Sequence, residues 1–75
     1  MTPQIHWARA LDGRIASVRV LSVILNFRVQ RFGEGWRLVW TCEGQRRELL
    51  CDTEESAMSQ AAAVVTSTFN GRLAQ

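Results

Sequence analysis

Seventy-five residues, 47% apolar and 21% charged with a net charge of +2, describe one small folding unit and exclude a disordered chain. No apolar run approaches the ~20 residues of a membrane span, and the first residues lack the basic-then-apolar order of a secretory signal, so a cytoplasmic protein is expected. A chain this short buries only about 60% of its unfolded surface, so its core is marginal and oligomerisation is a natural support.

Residues 1–13 carry two patterns. Thr2-Pro3 suits a helix N-cap followed by proline at the first helical position, with Ile5, Ala8 and Leu11 on one face and Gly13 as the stop. Asp12-Gly13 is also a type I′ turn signal, with Ile5, Trp7 and Arg9 alternating before it. The hairpin or extended arm is preferred. Residues 1–13 are therefore expected as an N-terminal arm or extra strand, and residues 14–75 as a single βββα domain.

Residues 15–32 are rich in Val, Ile, Leu and Phe, a strand composition. Val18 and Val20 have even parity, whereas Val23, Leu25, Phe27 and Val29 have odd parity. A bulge or bend near Leu21-Ser22 would reconcile them. Gly33-Glu34-Gly35 reads as a turn. Trp36, Leu38, Trp40 and Cys42 then alternate, and a second turn at 43–46 leads into a strand over 45–51. A loop at Gly33-Glu34 aligns Phe27 with Trp40 and Val29 with Leu38. A loop at Gly44-Gln45 would align Trp40 with Leu49 and Leu38 with Cys51. It would also set Arg37 against Asp52 and Glu43 against Arg46, matching apolar and opposite charges across strands. The expected sheet core is Val23, Leu25, Phe27, Val29, Leu38, Trp40, Leu49 and Cys51.

The spacing predicts a helix over residues 53–70. Asp52-Thr53-Glu54-Glu55 has the form of a capping box with an acidic first turn. Met58, Ala61, Ala62, Val65, Phe69 and Leu73 recur at helical spacing, and Asn70-Gly71 supplies a stop. The expected fold is α+β: an antiparallel three- to four-stranded meander followed by one C-terminal amphipathic helix packed on the sheet.

Little in the chain points to catalysis. The single histidine, His6, stands near the N-terminal end, and no Ser-His-acid or Cys-His set lies on rigid elements. Glu34, Glu43, Glu48, Asp52, Glu54 and Glu55 fall mostly in turns or opposite arginines. Gly33-Glu34-Gly35 is too short to cradle phosphate. Cys42 and Cys51 lie too far apart along neighbouring strands for a disulfide and are expected as free thiols. Two cysteines and one histidine lack zinc spacing. No enzyme activity, metal, cofactor or small-molecule substrate is expected.

Binding is better supported. The basic residues are nine arginines without a lysine, which a GC-rich coding genome would produce and which also suits gripping phosphate or carboxylate. The outer sheet face should show Arg28, Arg37 and Arg46, with Arg19 and Arg31 nearby and Trp36 placed to stack on a base. Arg28, Arg37 and Trp36 are the candidate nucleic-acid contacts. Glu43, Glu48 and Asp52 should pair with those arginines and bring the patch towards neutrality. The outer helix face offers Ser56, Ser59, Gln60, Ala63, Ser67 and Asn70, and no residue from Ser56 to Gly71 is charged. Val39 and Leu50 add apolar surface on the sheet. These eight residues are the candidate partner or dimer interface, since depletion of charge and small side chains permit close approach.

From Gly35-Trp36 through Thr53-Glu54-Glu55-Ser56-Ala57 to Ala63, an aromatic opens a strand, a polar turn follows, and a second strand runs into an alanine-rich helix. This outline resembles the three-stranded-sheet-plus-helix modules at the N-termini of phage-type tyrosine recombinases, which bind arm sites in DNA. It is similar also to small phage proteins that block a host machine, anti-CRISPR proteins among them. The resemblance covers about half the chain. It implies a phage or mobile-element protein, and Arg28 and Arg37 are the positions it would set against DNA. The recombinase modules have a more basic sheet than this one. The expected function is stoichiometric, inhibitor-like association with a macromolecular partner, as a homodimer. The alternative is a nucleic-acid-binding module using arginines on the outer sheet face.

Overall fold

The computed structural model describes residues 4–73. Strands β1 (Ala8–Ala10), β2 (Gly13–Val20), β3 (Val23–Phe32), β4 (Gly35–Cys42) and β5 (Gln45–Cys51) precede one helix, α1 (Glu54–Leu73). The strands form a single antiparallel sheet in the order β1-β2-β3-β4-β5. The helix packs on one face of it. The α+β architecture is as expected, with five strands in place of three or four. The Thr2-Pro3 cap lies outside the described residues. The hairpin reading of the N-terminal segment holds from Ala8 onward.

The parity change in residues 15–32 comes from a hairpin, not a bulge. Val20 pairs with Val23 across the two-residue loop Leu21-Ser22. Such a loop joins an even position to an odd one, so Ala16, Val18 and Val20 share a face with Phe27, Leu25 and Val23. Leu21 carries the turn at a φ of 57°, in the left-handed region.

Two other turns differ from expectation by one position. Ala10 pairs with Gly13, so the first loop is Leu11-Asp12 rather than Asp12-Gly13. Gly13 serves strand packing, because a Cβ there would run into the backbone carbonyl of Val29. In the last hairpin the loop is Glu43-Gly44 rather than Gly44-Gln45. Glu43 and Gly44 have φ of 51° and 81°, the type I′ pattern, which favours glycine in the second place. The register therefore moves by two residues. Leu38 faces Leu49, Trp40 faces Arg47 and Arg37 faces Leu50. An even shift keeps each side chain on its expected face but changes its partner. Arg37 does not meet Asp52, and Glu43 pairs with Arg72 rather than Arg46. The Gly33-Glu34 hairpin has the expected register, with Phe27 on Trp40 and Val29 on Leu38.

The core joins Val20, Val23, Leu25, Phe27, Val29 and Leu38 to Ala57, Ala61 and Val65. Trp40 and Cys51 pack at its border, as do Ile5 and Trp7 from the N-terminal segment. The Trp7 ring stands 6.2 Å from that of Phe27. Leu49, expected inside, is 40% exposed, because β5 is an edge strand. Both cysteines are free and half-buried.

Thr53 caps the helix: its Oγ1 accepts from the Ser56 N–H at 3.0 Å, and its carbonyl accepts from the Ala57 N–H at 3.1 Å. Ser56 stands where the capping box wants glutamate, so the reciprocal bond of that motif is missing. Asn70-Gly71 does not end the helix, which continues to Leu73 with Arg72 held by Glu43. The buried stripe is Ala57, Ala61 and Val65, rotated from the predicted one. Met58 and Ala62 flank it half-buried, and Phe69 is exposed. The side chain of Leu73 lies outside the described residues.

Candidate functional site

The helix covers one face of the sheet and leaves the other open. On the open face, side chains line up across the strands. Ala8, Ile15, Arg28, Val39 and Glu48 form one row across all five. Ser17, Asn26, Thr41 and Arg46 form the next. The strands bend into a shallow concavity of about 590 Å³ over these rows, with His6 at one end. Ile15, Ile24, Phe32 and Leu50 are exposed on the same face. Ile15 flanks Arg28 directly, whereas Ile24 and Phe32 stand at the two ends of β3 and Leu50 stands beside Arg37 on the edge strand.

The polar groups are unequally engaged. Ser17 Oγ donates to Asn26 Oδ1 at 2.7 Å. Arg37 is spoken for: Glu48 lies 3.8 Å away, its guanidinium sits 4.7 Å from the centre of the Phe32 ring, and the Gln30 amide, turned to present its oxygen, accepts from Nε at 3.1 Å. Arg46 shares the same Glu48, also at 3.8 Å. Arg28 has no ion pair among the described residues and projects, exposed, from the central strand between Ile15 and Val39. Among the described residues no carboxylate lines the concavity, while Arg28 and Arg46 both do. Glu48 stands next to Val39 on the edge strand, against Arg46. The expected neutralisation of this face is therefore incomplete at its centre.

The three candidate nucleic-acid contacts do not form one site. Arg28 and Arg37 share the open face, but Trp36 lies on the helix side, half-buried under Arg31, whose guanidinium carbon is 5.3 Å from its ring centre. The eight candidate interface residues also divide. Val39 and Leu50 belong to the open face. Ser59, Gln60, Ala63, Ser67 and Asn70 are exposed on the helix, on the opposite side of the molecule, and Ser56 is half-buried there. Sequence reasoning missed His6, Asn26 and Thr41, whose polar character at alternate positions was the available signal.

On the helix side, Arg14 reaches from β2 to Glu54 in the first helical turn, Nε to Oε1 3.5 Å. That Nε is buried without an aligned hydrogen bond, so the carboxylate compensates its charge by proximity. Among the described residues, no three His, Cys, Asp or Glu side chains gather as a metal site would need, and no helix is long and apolar enough to cross a membrane. No protein-family model matches the chain, and comparison with curated proteins and with solved structures found no match.

Proposed function

We propose that the protein is a stoichiometric binding protein, not an enzyme, and that it docks an acidic patch of a partner protein on the open face of its sheet. One observation carries this reading. Arg28, exposed and without an ion pair among the described residues, stands at the middle of a concave face with Ile15 and Val39 on either side. A central arginine ringed by apolar contacts that exclude water is the usual composition of an energetic hot spot. A carboxylate seated in the concavity would meet Arg28 directly and would compete with Glu48 for Arg46. The partner is altered by occupancy, which fits the few groups available for chemistry.

Affinity capture from the producing cells tests this. The wild-type chain should retain one protein in equimolar amount, and Arg28→Glu should lose it while folding normally. Retention by Arg28→Glu would remove the reading.

A nucleic-acid platform is the second reading, favoured by Arg19, Arg28 and Arg46 projecting from the same face. Phosphate contacts would give an affinity that falls steeply with salt. The exposed Ile15, Ile24, Phe32 and Leu50 fit a protein surface better, and Trp36 lies on the wrong side to stack. A gel-shift titration with a single-stranded and a duplex oligonucleotide decides: no shift at low salt is expected, and a salt-sensitive shift lost in Arg28→Glu would favour nucleic acid.

A further inference from the structure

The sheet has two edges. The β1 edge is only three residues long, whereas β5 presents seven, Gln45 to Leu50 all exposed. The type I′ turn fixes which backbone groups that edge offers. A two-residue hairpin of this type closes on a hydrogen-bonded pair, here Cys42 and Gln45. By alternation Gln45, Arg47, Leu49 and Cys51 bond to β4. Arg46, Glu48 and Leu50 therefore aim their N–H and C=O groups outward.

The helix flank beside this edge is the uncharged one. Ala63, Val64, Ser67 and Thr68 line a groove with Trp40, and the groove continues past Thr68 to Cys42, Glu43, Gln45 and Arg47. At 100° per residue, Gln60 falls on the same flank as Ala63 and Ser67. The exposed Leu49 points to the same side of the sheet.

We infer that a second copy of this chain occupies that edge, pairing β5 antiparallel with β5 and setting the two helix flanks side by side. The charges select this occupant. Arginine and glutamate on an edge strand guard against indiscriminate pairing. In antiparallel self-pairing centred on Arg47, Arg46 of each copy faces Glu48 of the other, so the guard becomes two matched pairs on the open face. Arg46, Glu48 and their outward backbone groups then form the hydrogen-bonded positions. Arg47 meets its own counterpart across the two-fold axis at a non-hydrogen-bonded position on the helix side of the sheet, a like-charge contact that opposes the two matched pairs and is relieved only as the exposed heads splay apart. From Ser56 to Gly71 the helix flanks bring no charge into the seam, and the Arg72–Glu43 ion pair closes its end. The result is a ten-stranded sheet with both helices on one side. This inference is independent of what the open face binds.

Light scattering after size exclusion, at high-micromolar concentration, should read twice the 8.5 kDa of the chain. Glu48→Pro removes an outward N–H that the β4 ladder does not use, so it should return the single-chain mass with unchanged circular dichroism. Should that variant fail to fold, Ala63→Arg, on the exposed helix flank, should also halve the mass. Arg47→Cys should become disulfide-linked between copies on mild oxidation, and the wild type should not, because Cα atoms at a non-hydrogen-bonded pair lie within bridging distance. A single-chain mass for the wild type would overturn the inference. So would a doubled mass that survives Ala63→Arg and folded Glu48→Pro, or a doubled mass with Arg47→Cys left unlinked.

Discussion

Single residues decide where this chain turns and where it can bind. Gly13 is required by the carbonyl of Val29, which occupies the space of a Cβ. Gly13→Ala should cost about 2 kcal/mol, within the range for forced backbone displacement, read as a lower midpoint in urea. Leu21 is the opposite case. It holds a left-handed φ with its side chain half exposed, and that conformation costs an L-residue about 1–2 kcal/mol. Leu21→Gly removes that strain but adds about 0.5–1 kcal/mol of unfolded-chain entropy. The balance is a gain of about 0.5 kcal/mol, seen as a small rise in the thermal midpoint. Neither role was legible from residue type. Gly13 suggested the corner of a turn and proved to be the first residue of a strand. The parity change pointed to a bulge or bend at Leu21-Ser22 but not to a hairpin loop, because turn statistics do not favour leucine there. At the candidate site, the sequence placed Arg28 and Arg37 on the same face, but pairing with Glu48 and stacking on Phe32 separate the committed arginine from the free one.

At the scale of elements, periodicity was informative about faces and less so about partners. Alternation put Val23, Leu25, Phe27, Val29 and Leu38 inside, and all five are buried. Alternation has a period of two, so it cannot distinguish registers that differ by two residues. That is how the last hairpin slid, while Leu49 kept its face and is exposed because its strand forms the sheet edge. The helix start was legible through its cap, its end was not. Glu43 lies more than twenty positions before Arg72, and their pairing accompanies a helix that runs past Asn70-Gly71. The cap carries a direct test. Thr53→Ala leaves the Ser56 N–H without its acceptor and should cost about 1 kcal/mol, whereas Thr53→Ser should be close to neutral, both measured by denaturant unfolding. Equal losses in the two variants would mean that the hydroxyl does not act as the cap.

The whole molecule is a sheet with one face closed and one face open, and that asymmetry is the basis of its proposed use. The helix outer surface and the open sheet face, which supply the two halves of the expected interface, lie on opposite sides of the molecule. Their separation allows two contacts at once: a second copy along β5 and its helix flank, and a partner on the open face. In such a dimer the two Arg28 side chains would stand about 24 Å apart along the sheet, five inter-strand spacings. The partner, once captured and purified, permits the decisive measurement: its dissociation constant with Arg28→Ala and with Thr66→Ala, the latter exposed on the helix. Loss of a central arginine of an interface costs about 2 kcal/mol or more, so Arg28→Ala should weaken binding about 30-fold while Thr66→Ala binds as the wild type does. Unchanged affinity for Arg28→Ala, or an equal loss in both variants, would contradict the open face as the binding surface.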